Sequence, residues 1–120
     1  MNRTEIEKVI HEFFDADYAK DADRMNALFH EGSEFFVLNK EGALLRKTGK
    51  EFANSFHGSA QQEYPRMDEI LSIDFTGEDV AVARTKMRIR DTLYTDLLCF
   101  MRINGVWGIV AKVSTGVPID

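Results

Sequence analysis

Cysteine is nearly absent. The one cysteine, Cys99, excludes an internal disulfide, and a cytoplasmic location is the economical expectation. Long apolar runs are missing as well. No stretch approaches the roughly 20 residues of a membrane-spanning helix, so no membrane partner is expected. The opening segment MNRTEIEKVIHEFF carries charges throughout and lacks the apolar stretch of a secretion signal. Its Asn2-Arg3-Thr4 triplet has the form of a glycosylation acceptor, which without secretion has no consequence. Positive charge is in deficit: 15 Lys and Arg face 20 Asp and Glu. Phosphate binding needs surplus cations, so no nucleic-acid partner is expected. HEFFD and HEGSE begin like a zinc motif but lack the second His four residues on. KTGKE lacks the first Gly and the Lys-Ser/Thr ending of a phosphate loop. No metal and no cofactor is expected.

What is present suits one globular domain over residues 1–120. A chain of this length buries roughly two thirds of its unfolded surface, and the nine Phe supply bulk for a core. Thr4 and Glu7 form a capping box, which places a helix start near Glu5. Ile6, Val9, Ile10, Phe13, Phe14 and Tyr18 follow at helical spacing, with Glu7, His11 and Asp15 on the other side. After KDAD, a second short helix carries Met25, Leu28 and Phe29 and ends at Gly32. SEFFVLNKEGALLRK reads as a hairpin turning at 39–42. Thr48 and Glu51 cap a third helix, with Phe52 and Phe56 four apart and Gly58 as its stop. Four strands follow, at 67–76, 80–90, 94–103 and 106–115. Asn104-Gly105 between the last two is a strong hairpin signal. Three helices beside an antiparallel meander give an α+β domain. Repeats and long linkers are absent.

Alternation assigns the faces of the sheet. Ala83, Thr85, Met87 and Ile89 share one side, expected to meet the helices, and Arg84, Lys86, Arg88 and Arg90 the other. Leu97, Cys99, Met101 and Ile103 are expected to continue the inner side. That choice leaves Leu98, Phe100, Arg102 and Val110 on the outer side as a partly apolar face, and such faces usually meet something. A second copy of the chain is the expected cover. The basic stripe is either an anion patch or a set of cross-strand ion pairs with Asp74, Glu78 or Asp96.

From Glu69 onward the sequence resembles the putative lumazine-binding family of the nuclear transport factor 2-like superfamily, which also includes ketosteroid isomerase and polyketide cyclase-like (SnoaL-like) proteins. The elements that carry the resemblance are SID-TGEDVAVA, YTDLL and NG-W-IV-K. FFDADYAKDADRMNALFHEG extends it to the first half. The resemblance implies a cone-shaped α+β fold: three N-terminal helices packed on a strongly curved antiparallel sheet, an apolar pocket at the open end, and homodimerisation through the sheet. Reaction does not follow from the scaffold. Steroid isomerase chemistry needs an oxyanion-donating tyrosine, a carboxylate base and a buried acid. Matched through the family's motifs, those positions fall on Phe13, Val37 and Cys99, which lack the required groups.

Other polar residues are weighed singly. Asp96 is either a base or ligand acceptor or, because it differs in parity from Cys99, an outward residue paired with Arg84 or Arg102, and the second is the expectation. His57, at the end of the third helix, is either an acid-base group or a cation favoured by the helix terminus. His30 is read as structural. Asp17 and Tyr18 close the first helix, Asp17 as an acid-base candidate and Tyr18 as packing or a ligand donor. Cys99 is read as a small hydrophobe. The leading expectation is a dimeric domain whose pocket, lined by Phe13, Phe29, Phe52, Phe56, Met87, Cys99, Met101 and Trp107, binds a small organic ligand. The alternatives are a cofactor-free lyase or isomerase using Asp17 or His57, and an interaction module whose pocket is filled by its own side chains.

Overall fold

The first helix forms where the apolar spacing requires it. In the computed structural model, which describes residues 2–119, α1 spans Asn2–Ala19 and buries Ile6, Ile10, Phe13, Phe14 and Asp17 on one stripe. It starts before the expected box, with Thr4 already inside it. Lys20 ends it in the left-handed region at φ 55°. The second helix, α2 (Ala22–Asn26), is capped by the Asp21 side chain, which accepts from the Arg24 N–H. It is shorter than expected, because Phe29 opens strand β1 (Phe29–Leu38). The hairpin partner β2 is Leu44–Thr48. In α3 (Gly49–Asn54) the capping box is complete: the Glu51 N–H donates to Thr48 Oγ1 at 3.0 Å, and the Thr48 N–H donates to Glu51 Oε1 at 2.9 Å.

The remaining strands are β3 (Asp68–Thr76), β4 (Val80–Ile89), β5 (Thr92–Ile103) and β6 (Val106–Pro118), and the sheet order is β2-β1-β6-β5-β4-β3. The meander β3 to β6 is antiparallel, as is β1 with β2. The pairing of β1 with β6 is parallel, so one junction departs from the expected antiparallel sheet. No tight turn joins those two strands, so nothing forces their directions to alternate. Helix α1 packs against both β6 and β3, because the curved sheet wraps around it. The result is the expected α+β fold with its core between helix and sheet.

Register corrects the expected faces of β5. The β4–β5 turn is two residues long, with Arg90 at φ 56°, and it sets Ala83 opposite Leu98 and Thr85 opposite Asp96. Paired residues share a face, so Leu98 and Phe100 point inward and are 0% exposed. Neither belongs to an outer dimer face. Cys99 and Met101 point outward, Met101 being 40% exposed, so neither lines an interior pocket. Arg102 is not on the outer face either. It pairs with Asp79 at 2.8 Å and lies 5.5 Å from the centre of the Trp107 ring.

Strand β6 contains a second departure. Phe100 pairs with Ile109, but Cys99 pairs with Ala111, so Val110 sits in a bulge. A bulge shifts the side-chain alternation by one. Before it, Trp107 and Ile109 face inward; after it, Lys112 and Ser114 do.

Candidate functional site

The two register features bring polar residues into the interior. Across the inner face, Val37, Ser114, Asp96 and Thr85 form one row over β1, β6, β5 and β4. Phe35, Lys112, Leu98 and Ala83 form the next. A cavity of about 220 Å³ lies over these rows, with Phe35, Phe52, Ile89, Tyr94, Asp96 and Lys112 among its lining and Leu45 and Lys47 of β2 on its border.

Asp96 is 2% exposed. The Ser114 hydroxyl donates a very short hydrogen bond to its Oδ1. Burial pushes the Asp96 carboxyl above its ordinary value; Lys112 and the Ser114 hydrogen bond oppose the shift, and the Asp17 charge adds to it. Burial dominates because the charged form loses its hydration. Lys112 is 9% exposed. Its Nζ lies 4.3, 4.8 and 5.7 Å from the ring centres of Phe52, Phe35 and Phe13. Such cation–π contacts contribute roughly 0.5–2 kcal/mol each, most when desolvated. Among the described residues Lys112 forms no ion pair. An aromatic wall stands behind the cage: Phe29 meets Phe35 at 4.9 Å, and Phe56 meets Phe52 at 5.1 Å.

A second buried polar cluster sits at the end of α1. The Asp17 carboxylate pairs with Lys20 at 3.0 Å and accepts from Gln62 Nε2 at 3.1 Å. Tyr18 donates to the Tyr64 carbonyl at 3.0 Å, under the Arg66 guanidinium. Gln62 Oε1, Tyr64 Oη and Thr85 Oγ1 are buried without a hydrogen-bond partner among the described residues. Burial also raises the Tyr64 hydroxyl, so it stays protonated as a donor.

Residues 1–114 match the family described as Putative lumazine-binding. The chain belongs to that family. Solved structures agree on the fold of this lumazine-binding family member. A nuclear transport factor 2-like protein of unknown function from Shewanella baltica superposes with a TM-score of 0.88 at 19% identity, covering 98% of this chain and 94% of that one. Another of the same description, from Silicibacter pomeroyi, gives 0.85 at 20% identity, covering 97% and 96%. A ketosteroid isomerase-like protein from Erwinia carotovora atroseptica gives 0.72 at 13%, covering 95% of each. At these identities the likeness concerns the fold alone. Comparison with curated proteins yields no match. Among the described residues no helix is long and apolar enough to cross a membrane.

Against this frame the expected site residues divide. Phe52 lines the cavity, while Phe13, Phe29 and Phe56 stand behind it. Met87 is buried in the core. Trp107 packs elsewhere, 5.9 Å from Phe75 and hydrogen-bonded to Asn2. Asp17 and Tyr18 are engaged in their own cluster, and His57 is exposed; none of these borders the cavity. His30 lies in β1, where its Nε2 bridges the carbonyls of Met101 and Val106 at 2.9 and 3.1 Å. Its role is to clamp the β5–β6 hairpin, not to cap a helix. Cys99 is half-buried on the outer side, and burial keeps its thiol protonated.

Lys112, Ser114 and Tyr94 escaped the reading of the sequence as site residues, and Asp96, weighed as a base or ligand acceptor, was placed on the wrong side. Asp96 had a signal: a two-residue turn after Ile89 places it opposite Thr85, which alternation already turns inward. For Lys112 and Ser114 the only hint is the unbroken apolar run Ile109-Val110-Ala111.

Proposed function

We propose that this protein binds a small, planar organic molecule in the cavity between α3, β1 and the inner face of β5 and β6. The observation that carries the reading is the buried trio of Asp96, Lys112 and Ser114 on the cavity wall. Polar groups inside a core lower stability unless something uses them. A self-filled core would place apolar side chains there and leave no room. The volume sets the size of the guest. A drug-sized site is roughly 300–1,000 Å³, while an apolar cavity of about 150 Å³ holds benzene. A cavity of about 220 Å³ therefore suits one substituted ring or a compact fused pair, not a steroid. The acid-base reading built on Asp17 or His57 has no support, since neither borders the cavity.

The test is a thermal-shift panel of single-ring and fused two-ring compounds, lumazine included. A ligand at a hundred times its Kd adds about 2.7 kcal/mol, a rise of several degrees. At least one compound is expected to give it, and Ile89→Phe, which fills the cavity from β4, is expected to abolish it. A flat response across the panel would sink the reading.

The proposal includes a homodimer through the outer face of the sheet, with corrected membership. Val82, Cys99 and Ala111 lie in register there, next to Arg84, Leu97, Val113 and Phe36. Val82 and Val113 are exposed as single chains, and a groove of about 250 Å³ runs between Leu97, Val113 and Leu44. An apolar surface of this extent favours a partner, and a second copy is the commonest one.

A further inference from the structure

Among the described residues no oxygen accepts a hydrogen bond from the Lys112 ammonium, whose N–H donors are left to a guest or water at the cavity. An ammonium has three N–H donors and no acceptor. Three phenylalanine rings surround this one, and a ring face attracts the charge without accepting hydrogen bonds as an oxygen does. The buried side-chain hydrogen bonds nearby run from Gln62 to Asp17 and from Ser114 to Asp96 instead. Lys47 adds a second cation at the cavity border, and Asp96 is the only carboxylate in the lining. In a chain of net charge −5, this interior is cationic against its surroundings.

Resting on the ligand-binding reading above, we infer that the guest is an anion: a single aromatic or planar ring bearing a carboxylate or comparable oxyanion. The oxyanion accepts from Lys112 Nζ, and the ring lies against Phe52, Ile89 and Tyr94. Asp96 does not oppose this. Burial favours its neutral form. Ser114 also donates to Oδ1, so part of this carboxyl is already hydrogen-bonded within the protein. An ammonium paired with an oxyanion gains a charge-assisted bond that a neutral amide cannot match. The walls of Phe35, Phe52 and Ile89 favour a flat apolar ring, and Lys112 favours the charge it carries.

The experiment compares benzoate, benzamide and toluene by calorimetry and by protein-observed NMR on the full chain. Benzoate is expected to bind roughly tenfold tighter than benzamide, the gap between charged and neutral hydrogen bonds. Its ring protons are expected to show contacts to Tyr94 and Phe52. Lys112→Met keeps the stem and removes the charge, so it should erase the preference while benzamide still binds. If that variant fails to fold, the native ratio alone decides. Benzamide or toluene binding as tightly as benzoate would overturn the anion assignment and leave the ligand-binding reading intact. Benzoate contacts only outside the cavity would do the same. Failure of all three probes in the native protein would overturn this inference, and a flat response to the wider panel above would overturn the ligand-binding reading separately.

Discussion

Asp96 shows how much one side chain can depend on its setting. Its carboxyl is raised above the ordinary 3.8 by burial, against the opposing pull of Lys112 and Ser114 and with a further push from Asp17 on α1. The folded protein therefore holds this proton more tightly than the unfolded chain. Folding takes up a proton between the unfolded and the raised value, so Asp96 makes stability fall as pH rises through that window. Below the window the group is neutral in both states and costs nothing. Asp96→Asn imitates the neutral form and can still accept from Ser114. It is expected to be more stable than the native chain at neutral pH, and to flatten the decline that begins above the ordinary carboxyl value. Urea unfolding at several pH values measures this, and parallel curves for the two proteins would count against it. The residue was visible in the sequence and assigned to the wrong side, because its parity was measured from Cys99. Asp17 offered a fairer signal. It stands three residues after Phe14 and four after Phe13, on the apolar stripe of the first helix.

At the scale of elements, the reading succeeded where local chemistry decides. The Thr48–Glu51 box, the Asn104-Gly105 turn and the alternation of β4 each express one nearby interaction, and each was legible. Strand limits agree within a few residues for the same reason. The bulge in β6 was not legible, because nothing local requires it: it reflects how the sheet must bend over the helix. Yet it turns Lys112 and Ser114 inward. Deleting Val110 removes the extra residue but leaves Ala111 opposite Cys99, so Lys112 and Ser114 are expected to stay inward while the strand loses its local bend. The predicted result is a sheet that still forms, judged by circular dichroism, with a lower Tm because the straightened strand fits the helix less well. An unchanged Tm in the deletion variant would show that the bulge does not set the bend.

For the whole molecule, the open question of the sequence was what covers the second side of the sheet. The apolar pattern was read correctly as two-sided, but the sides were exchanged along β5. Leu98 and Phe100 belong to the core, and Leu97, Val82 and Val113 to the outside. Dimerisation through the outer face predicts that Val113→Asp yields a folded monomer by sedimentation, with Tm lowered through the lost partner. Sedimentation of the native chain as a monomer at micromolar concentration would refute the dimer outright. The α+β class was readable because composition, helix spacing and turn residues all pointed to it. The contents of the cavity were not, because they follow from register across four strands.

The parallel seam between β1 and β6 has a consequence in time. Phe35 meets Lys112, and Val37 meets Ser114, each pair 77 positions apart in sequence. Contacts so distant in sequence are slow to form, because the loop must close before they contribute. During synthesis the β1–β2 hairpin emerges early and must wait for the last strand to leave the ribosome. Helices and hairpins can take shape beforehand, but the ammonium reaches its cage only when this final zipper shuts. The cavity beside this seam is thus expected to be among the last parts of the molecule to form.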